Sequence, residues 1–208
     1  MKHRDRLQQF CRLLESAPVA LTSVEPALLW ERHVEDALTA LPLLDHRPAQ
    51  LCDVGSGGGS PGIPLALELD ARPTLVEATT TKAEFLVRAL AALEVDGDVV
   101  AARAEEYAAG LGRDRFPLVV ARALARPPVA LELCLPLVAP GGRCVLWTGD
   151  VTTTGLAVVA RQLAAAVVRV EPTTAGRQLV VIEKLGPTPA RFPRRVGVAG
   201  KRPLGSLR

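Results

Sequence analysis

From residue 50 onward the chain alternates between two kinds of segment, and that alternation limits the folds open to it. Short apolar runs QLCDV (50–54), PTLVEA (73–78), GDVVAA (97–102), PLVVA (117–121) and GRCVLWT (142–148) are separated by helical stretches at 60–69, 80–94, 104–110 and 127–138. Runs this short with helices between them predict β-α-β units, whose parallel sheet is covered on both faces by the crossover helices. The rhythm then changes to a helix over TTGLAVVARQLAAA, a strand near 167–171, a turn at PTTAG and a strand RQLVVIEK. The connection between those last two strands is too short for a crossover, so they should pair antiparallel. Before residue 49 the pattern is helical. Leu7, Phe10, Cys11 and Leu14 share one face of RLQQFCRLLES; Leu29, Trp30, His33 or Val34, Ala37, Leu38 and Leu41 recur along PALLWERHVEDALTALPLL, with Trp30 expected in the core. The expected architecture is α/β: a doubly wound sheet over 49–190 ending in an antiparallel hairpin, a small N-terminal helical extension over 1–48 and a basic C-terminal tail over 191–208.

Composition agrees with one folded domain, since 208 residues that are 49% hydrophobic and 23% charged can bury a core and leave disorder to the ends. The opening MKHRDRLQQFCRLLESA is charged throughout and lacks the apolar stretch of a secretion signal. LAVVARQLAAAVVRV and PPVALELCLPLVAP are broken by charge or proline, so no segment is expected to enter a membrane and the chain reads as cytoplasmic. Cys11, Cys52, Cys134 and Cys144 are scattered without C-x-x-C or histidine spacing, which predicts reduced core thiols rather than a metal centre or a disulfide framework. The net charge of +3 conceals an asymmetry: RFPRRVGVAGKRPLGSLR carries Arg191, Arg194, Arg195, Lys201, Arg202 and Arg208 and no acid, which leaves the preceding 190 residues at 3 − 6 = −3. Such a segment is either a contact for a polyanion, whose phosphates it would neutralise, or a frayed solubilising terminus.

The first expected β-α turn holds DVGSGGGSPG, where bare backbone allows positive φ and brings N–H groups close to a ligand. In an open α/β sheet this turn usually lies at the ligand site beyond the strands' carboxyl ends. A dinucleotide site wants G-x-G-x-x-G with an acid about 20 residues on for a ribose hydroxyl. Glu77, ending the second apolar run, supplies the acid, but the loop reads Asp53, then Gly55-x-Gly57-x-Gly59, with Ser60-Pro61 opening the helix. No Gly-Lys-Ser/Thr follows, so a Walker phosphate loop is excluded. The G-x-G-x-G spacing resembles the S-adenosylmethionine loop of class I methyltransferases. LPLVAPGGRCVLWTG, read as an apolar helix closed by Pro140-Gly141-Gly142 before a strand, resembles the turn ahead of their fifth strand.

A narrower resemblance runs along nearly the whole chain. ERHVEDALTALPLL, DVGSGGGSPGIPLAL, KAEFLVRAL, ARAEEY, VVARALARPPVALELCLPLVAPGGR and FPRRVGVAGKRPL are similar, in that order, to segments of the ribosomal RNA small-subunit methyltransferase G family, also called the glucose-inhibited division protein B family. The resemblance implies a class I, Rossmann-like fold and transfer of a methyl group from S-adenosylmethionine to N7 of a guanine in 16S rRNA, near the decoding centre of the small ribosomal subunit. It places cofactor contacts at Gly55, Gly57 and Gly59, at Ser60 where the family usually has a bulky apolar residue, at Glu77, at Ala104 and Glu105, and at Arg122.

Asp53 has two open roles, ordering the loop through backbone N–H groups or meeting the cofactor's amino group. Arg122 ends a strand facing the site, where it could grip the cofactor or an RNA phosphate, or stand as a surface cation. Arg194, Arg195, Lys201 and Arg202 are the remaining expected RNA contacts. His33 and Asp36, three apart on one helix face, read as a structural pair that packs the N-terminal helices near the loop rather than as catalytic groups. Aromatic residues make up only 3%, so there is no stacking platform and RNA recognition should rest on phosphates and shape. Guanine N7 has a free lone pair, so no general base, no metal and a monomeric enzyme are expected. The competing functions are a class I methyltransferase for a small molecule or protein, and a non-catalytic RNA-binding module of ribosome assembly.

Overall fold

Leu51, Cys52 and Val54 are all fully buried, so the first strand, β1 (Gln50–Val54), has both faces covered, as its unbroken apolar run requires. The structure, a computed structural model, describes residues 1–17, 21–149, 153–173 and 176–205. Seven strands form one sheet in the order β3-β2-β1-β4-β5-β7-β6. They are β1, β2 (Arg72–Val76), β3 (Asp98–Val100), β4 (Phe116–Arg122), β5 (Val138–Thr148), β6 (Ala165–Pro172) and β7 (Gln178–Lys184). Pairings through β5 are parallel, whereas β7 runs antiparallel to both β5 and β6. The chain builds outward from β1 to β3, then returns to place β4 on β1's other side, which makes β1/β4 the switch point of the sheet.

Alternation along the strands sorts the core into two faces. Cys52, Val54, Val119, Ala121, Cys144, Leu146 and Ile182 point to the side covered by α5 (Ala104–Ala108), α6 (Pro127–Cys134) and α7 (Thr153–Gln162). Leu51, Leu118, Val120, Val145, Trp147 and Val181 point to the other side. There they meet α3 (Gly62–Leu69), which is buried along its whole length. α3 can be apolar all round because α1 (Arg4–Glu15) and α4 (Thr80–Ala92) cover its outer surface, with Leu7, Phe10 and Leu14 against Ile63, Leu67, Phe85 and Leu86. The N-terminal extension thus completes the helical layer of the sheet.

Three expectations from sequence need correction. The helix read over 127–138 stops at Cys134, followed by a 3-10 turn at Leu135–Leu137, and β5 runs straight through Pro140-Gly141-Gly142, with its register on β4 shifting between Phe116 and Leu118. The segment from Pro26 is not one helix: it is a 3-10 turn (Pro26–Leu28), a π-helix (Trp30–Glu35), a single α turn (α2, Asp36–Leu38) and another 3-10 turn (Leu41–Leu43). Trp30 lies at its edge, half-buried, with the Arg4 guanidinium 5.4 Å from the ring centre and Nε1 donating to Glu35 Oε1 at 2.9 Å.

Finally, the basic segment is neither frayed nor free. Phe192 is buried, and Arg113 donates to the carbonyls of Phe192 (2.6 Å) and Thr188 (2.7 Å). Lys184, fully buried, donates to Leu135 O, Thr188 Oγ1 and Asp114 Oδ1 at 2.8, 2.6 and 3.2 Å. Arg194 forms a two-pronged ion pair with the Glu132 carboxylate of α6, and the last helix among the described residues is α8 (Val198–Lys201). Arg208, and part of the turn expected at PTTAG, lie outside the described residues. Among the described residues no helix is long and apolar enough to cross a membrane, and no group of His, Cys, Asp and Glu has metal-binding geometry.

Candidate functional site at the switch point

The loop leaving β1 is shaped by its glycines. Gly55, Gly57 and Gly59 have φ of +70°, +54° and +96°, a region closed to most side chains. The turn is then fixed from below and beside. Gly55 and Ser56 donate their N–H groups to Val76 O at the end of β2. Glu77, one residue further, accepts from Gly57 N through Oε2 (2.9 Å) and from Thr79 N through Oε1 (2.8 Å).

Asp53 lies beneath the loop, 1% exposed, with Oδ2 accepting from Gly62 N at 2.9 Å. Gly62 has to be glycine there, because a Cβ would stand 2.6 Å from that same oxygen. The Asp53 carboxylate thus meets the first residue of α3 and is not part of the cleft wall. Burial pushes its pKa up to about 7 against the opposing Gly62 N–H and Arg122 charge, with the Glu77 carboxylate adding to the rise. Oδ1 has no partner.

Above the loop is a cleft of about 600 Å³, within the range of small-ligand sites. Its wall brings together Gly55, Gly57, Ser60, Glu77, Ala104, Glu105 and Arg122 from the sequence-predicted set, while Gly59 supports the turn from behind. Ser60 uses its hydroxyl locally, donating to His33 O at 2.7 Å. Glu105 accepts from the Gly197 N–H of the C-terminal segment at 2.9 Å, so the folded tail braces the helix that lines the cleft.

Arg122 is no surface cation: its side chain is 8% exposed. Nη1 donates to Asp36 Oδ2 (3.1 Å) and to Arg32 O, and Nη2 donates to His33 Nδ1 (2.7 Å). His33 and Asp36, expected as a pair with each other, are instead held together through this guanidinium. Burial lowers the Arg122 pKa and the Asp36 carboxylate works against that shift. The His33 pKa falls to about 4 because the ring is buried and then because Arg122 and Arg177 repel its proton.

Thr22, Arg32, Lys82, Arg103 and Arg177 also line the cleft, and the sequence pattern did not single them out. Arg177 is the legible exception, since it immediately precedes β7 at the carboxyl side of the sheet. Of the expected RNA contacts, Arg194 is paired through Nε and Nη2 with Glu132 of α6. Arg195, Lys201 and Arg202 are exposed and lie outside the cleft wall.

Comparison with known proteins agrees with this geometry. The family model for rRNA small subunit methyltransferase G matches residues 4–180. The chain belongs to that family. It is 42% identical over 184 residues to the ribosomal RNA small subunit methyltransferase G of Sorangium cellulosum, covering 84% of this chain and 76% of that protein. With the protein of the same name from Staphylococcus carnosus it is 32% identical over 98% of this chain and 91% of the relative, an alignment that takes in the C-terminal segment. In three dimensions it superposes on a variant of MtNAS crystallised with S-adenosylmethionine, with a TM-score of 0.62 at 17% identity, covering 88% of this chain and 73% of the other. At that identity the likeness establishes the fold, the class I methyltransferase sheet. In this member of the rRNA small subunit methyltransferase G family, the loop, the acid after β2 and the start of α5 line one cleft.

Proposed function

We propose that the protein transfers a methyl group from S-adenosylmethionine to N7 of a guanine in 16S rRNA of the small ribosomal subunit, in the cytoplasm. The observation that carries this is the convergence of Gly55, Gly57, Glu77, Ala104, Glu105 and Arg122 on one cleft at the β1/β4 switch point, in a chain of this family.

The bound cofactor supplies an electrophilic methyl on a positively charged sulfur. The chain's own residues hold and shield it. The positive-φ glycines carry no Cβ, so the methionine end can approach the loop backbone closely. Glu77 spends part of its accepting capacity on Gly57 and Thr79, and the lone pairs left over are free for ribose hydroxyls. Ala104 is small enough to let an adenine lie against the start of α5.

Guanine N7 attacks through a lone pair that carries no proton, which removes any need for a base. Glu77 holds loop amides, and Arg122 is held by Asp36 and His33. Orientation of the two reactants can itself supply several kcal/mol of barrier lowering. The RNA is met by the exposed cations Arg195, Lys201 and Arg202 on a segment whose anchoring leaves little ordering to be done on binding.

Methyl transfer from labelled cofactor to small subunits of a strain lacking the protein, with the product nucleoside identified by mass spectrometry, tests the assignment. Label in 7-methylguanosine is expected; label elsewhere or in no nucleoside overturns it. Changing Arg195, Lys201 and Arg202 together to Ala should reduce the slope of log K against log salt for RNA by about 2, at ~0.7 per lost phosphate contact. An unchanged slope removes the tail from the RNA interface.

A further inference from the structure

Three walls of the cleft meet at one residue that has no part in the cofactor assignment. We propose that His33 is a positioning residue of the transfer site, fixing the Leu21–Val24 wall, the glycine loop and the Arg122 guanidinium relative to one another. It acts within the cleft function proposed above.

The π-helix at Trp30–Glu35 presents His33 with its ring toward β4 and its carbonyl toward the loop. The guanidinium has only donors, so His33 Nδ1, 2.7 Å from Arg122 Nη2, must be an unprotonated acceptor. The single ring proton of the neutral imidazole is therefore on Nε2, where it is donated to Thr22 Oγ1 at 2.8 Å. That hydroxyl oxygen also accepts from Val24 N at 3.1 Å, which pins the backbone of the cleft wall. On the main-chain side, His33 O accepts from Ser60 Oγ. The charged groups around the ring are Arg122 from the end of β4, Arg177 just before β7 and Asp36 from α2; burial of the ring, and then repulsion by Arg122 and Arg177, keep the neutral form well below pH 7. Protonation would turn Nδ1 into a donor aimed at a guanidinium, and the connection to Arg122 would open.

A residue that only filled space would not care which nitrogen holds the proton, so the tautomer is the decisive readout. Long-range proton–nitrogen NMR of the full chain, with the His33 signals assigned through His33→Gln, should show an Nε2–H neutral ring from pH 8 down to about 5. An Nδ1–H ring, or a charged ring at pH 7, overturns the proposal. In turnover, His33→Ala should lower kcat tenfold or more while the S-adenosylmethionine Kd stays within threefold. His33→Asn, whose amide oxygen can stand in for Nδ1 toward Arg122, should recover a large part of that loss. Equal falls in cofactor affinity and kcat, with no recovery by Asn, overturn the positioning role. Absence of RNA methylation by the unaltered protein would strike the acceptor assignment alone, and the ring-nitrogen measurement would then decide His33 by itself.

Discussion

Replacing Arg194 with Ala should unfold the protein more readily rather than merely weaken its hold on RNA. Its guanidinium meets both oxygens of Glu132, and the two side chains differ sharply in exposure, 23% for Arg194 and 2% for Glu132. Removing the arginine leaves a carboxylate sealed inside α6 with no partner. Breaking a buried pair in this way costs about 3–5 kcal/mol; because the arginine side is a quarter open and water can reach the vacated space, the lower end applies, roughly 3 kcal/mol. For a chain of this size that corresponds to a fall in Tm of about 6–12 °C.

Thermal unfolding followed by circular dichroism reads the effect. The neighbouring Arg195→Ala, which truncates an exposed side chain, should leave Tm within about 1 °C. A double change, Arg194→Met with Glu132→Leu, should recover most of the lost stability, since both charges leave together and an apolar pair of similar size replaces them. A Tm unchanged in Arg194→Ala, together with weaker RNA binding, would refute the anchor and return this arginine to the RNA-facing set.

Two further outcomes follow from the loop. Gly62→Ala places a Cβ 2.6 Å from Asp53 Oδ2 and 2.9 Å from Leu75 Cδ2, so Asp53 must shift and lose its amide donor; a loss of about 2–4 kcal/mol in denaturant unfolding is expected, with weaker S-adenosylmethionine binding by calorimetry, and equal midpoints would count against the contact. Asp53, with its pKa raised from 3.8 to about 7, binds its proton more tightly folded than unfolded, so its contribution to stability is full below about pH 4 and is lost as pH rises through 7. Asp53→Asn should therefore flatten the pH dependence of Tm between pH 4 and 7, and a profile identical to the parent's would show that this carboxyl does not titrate there.

The parts of the fold legible in the sequence are those fixed by local pattern. Apolar runs with helices between them specify the parallel sheet, and the short turn before RQLVVIEK specifies the antiparallel close. The glycine spacing and the acid at Glu77 located the cleft, because both are properties of a strand end and the turn beside it. What was hidden depends on partners far away in the chain. Trp30 keeps helical spacing, yet the π-helix rotates it out to the edge. Arg194 reads as one cation among six, and nothing local announces that its counter-ion is 62 residues earlier on α6. The holding of Arg122 by His33 and Asp36 joins it to groups 89 and 86 residues away, which periodicity cannot register.

The position of β7 has a consequence for how the chain comes to be folded. It is last of the seven strands in sequence, but it lies inside the sheet, between β5 and β6. While the polypeptide is being synthesised, β5 therefore presents an open apolar edge from the time it emerges until residues 178–184 arrive, and β6 has no neighbour to pair with. Open edges invite association with other chains. The keystone strand, and with it the Lys184 network that fastens the C-terminal segment, must be in place before the sheet has a finished side, so chains truncated ahead of residue 178 are expected to be sticky intermediates.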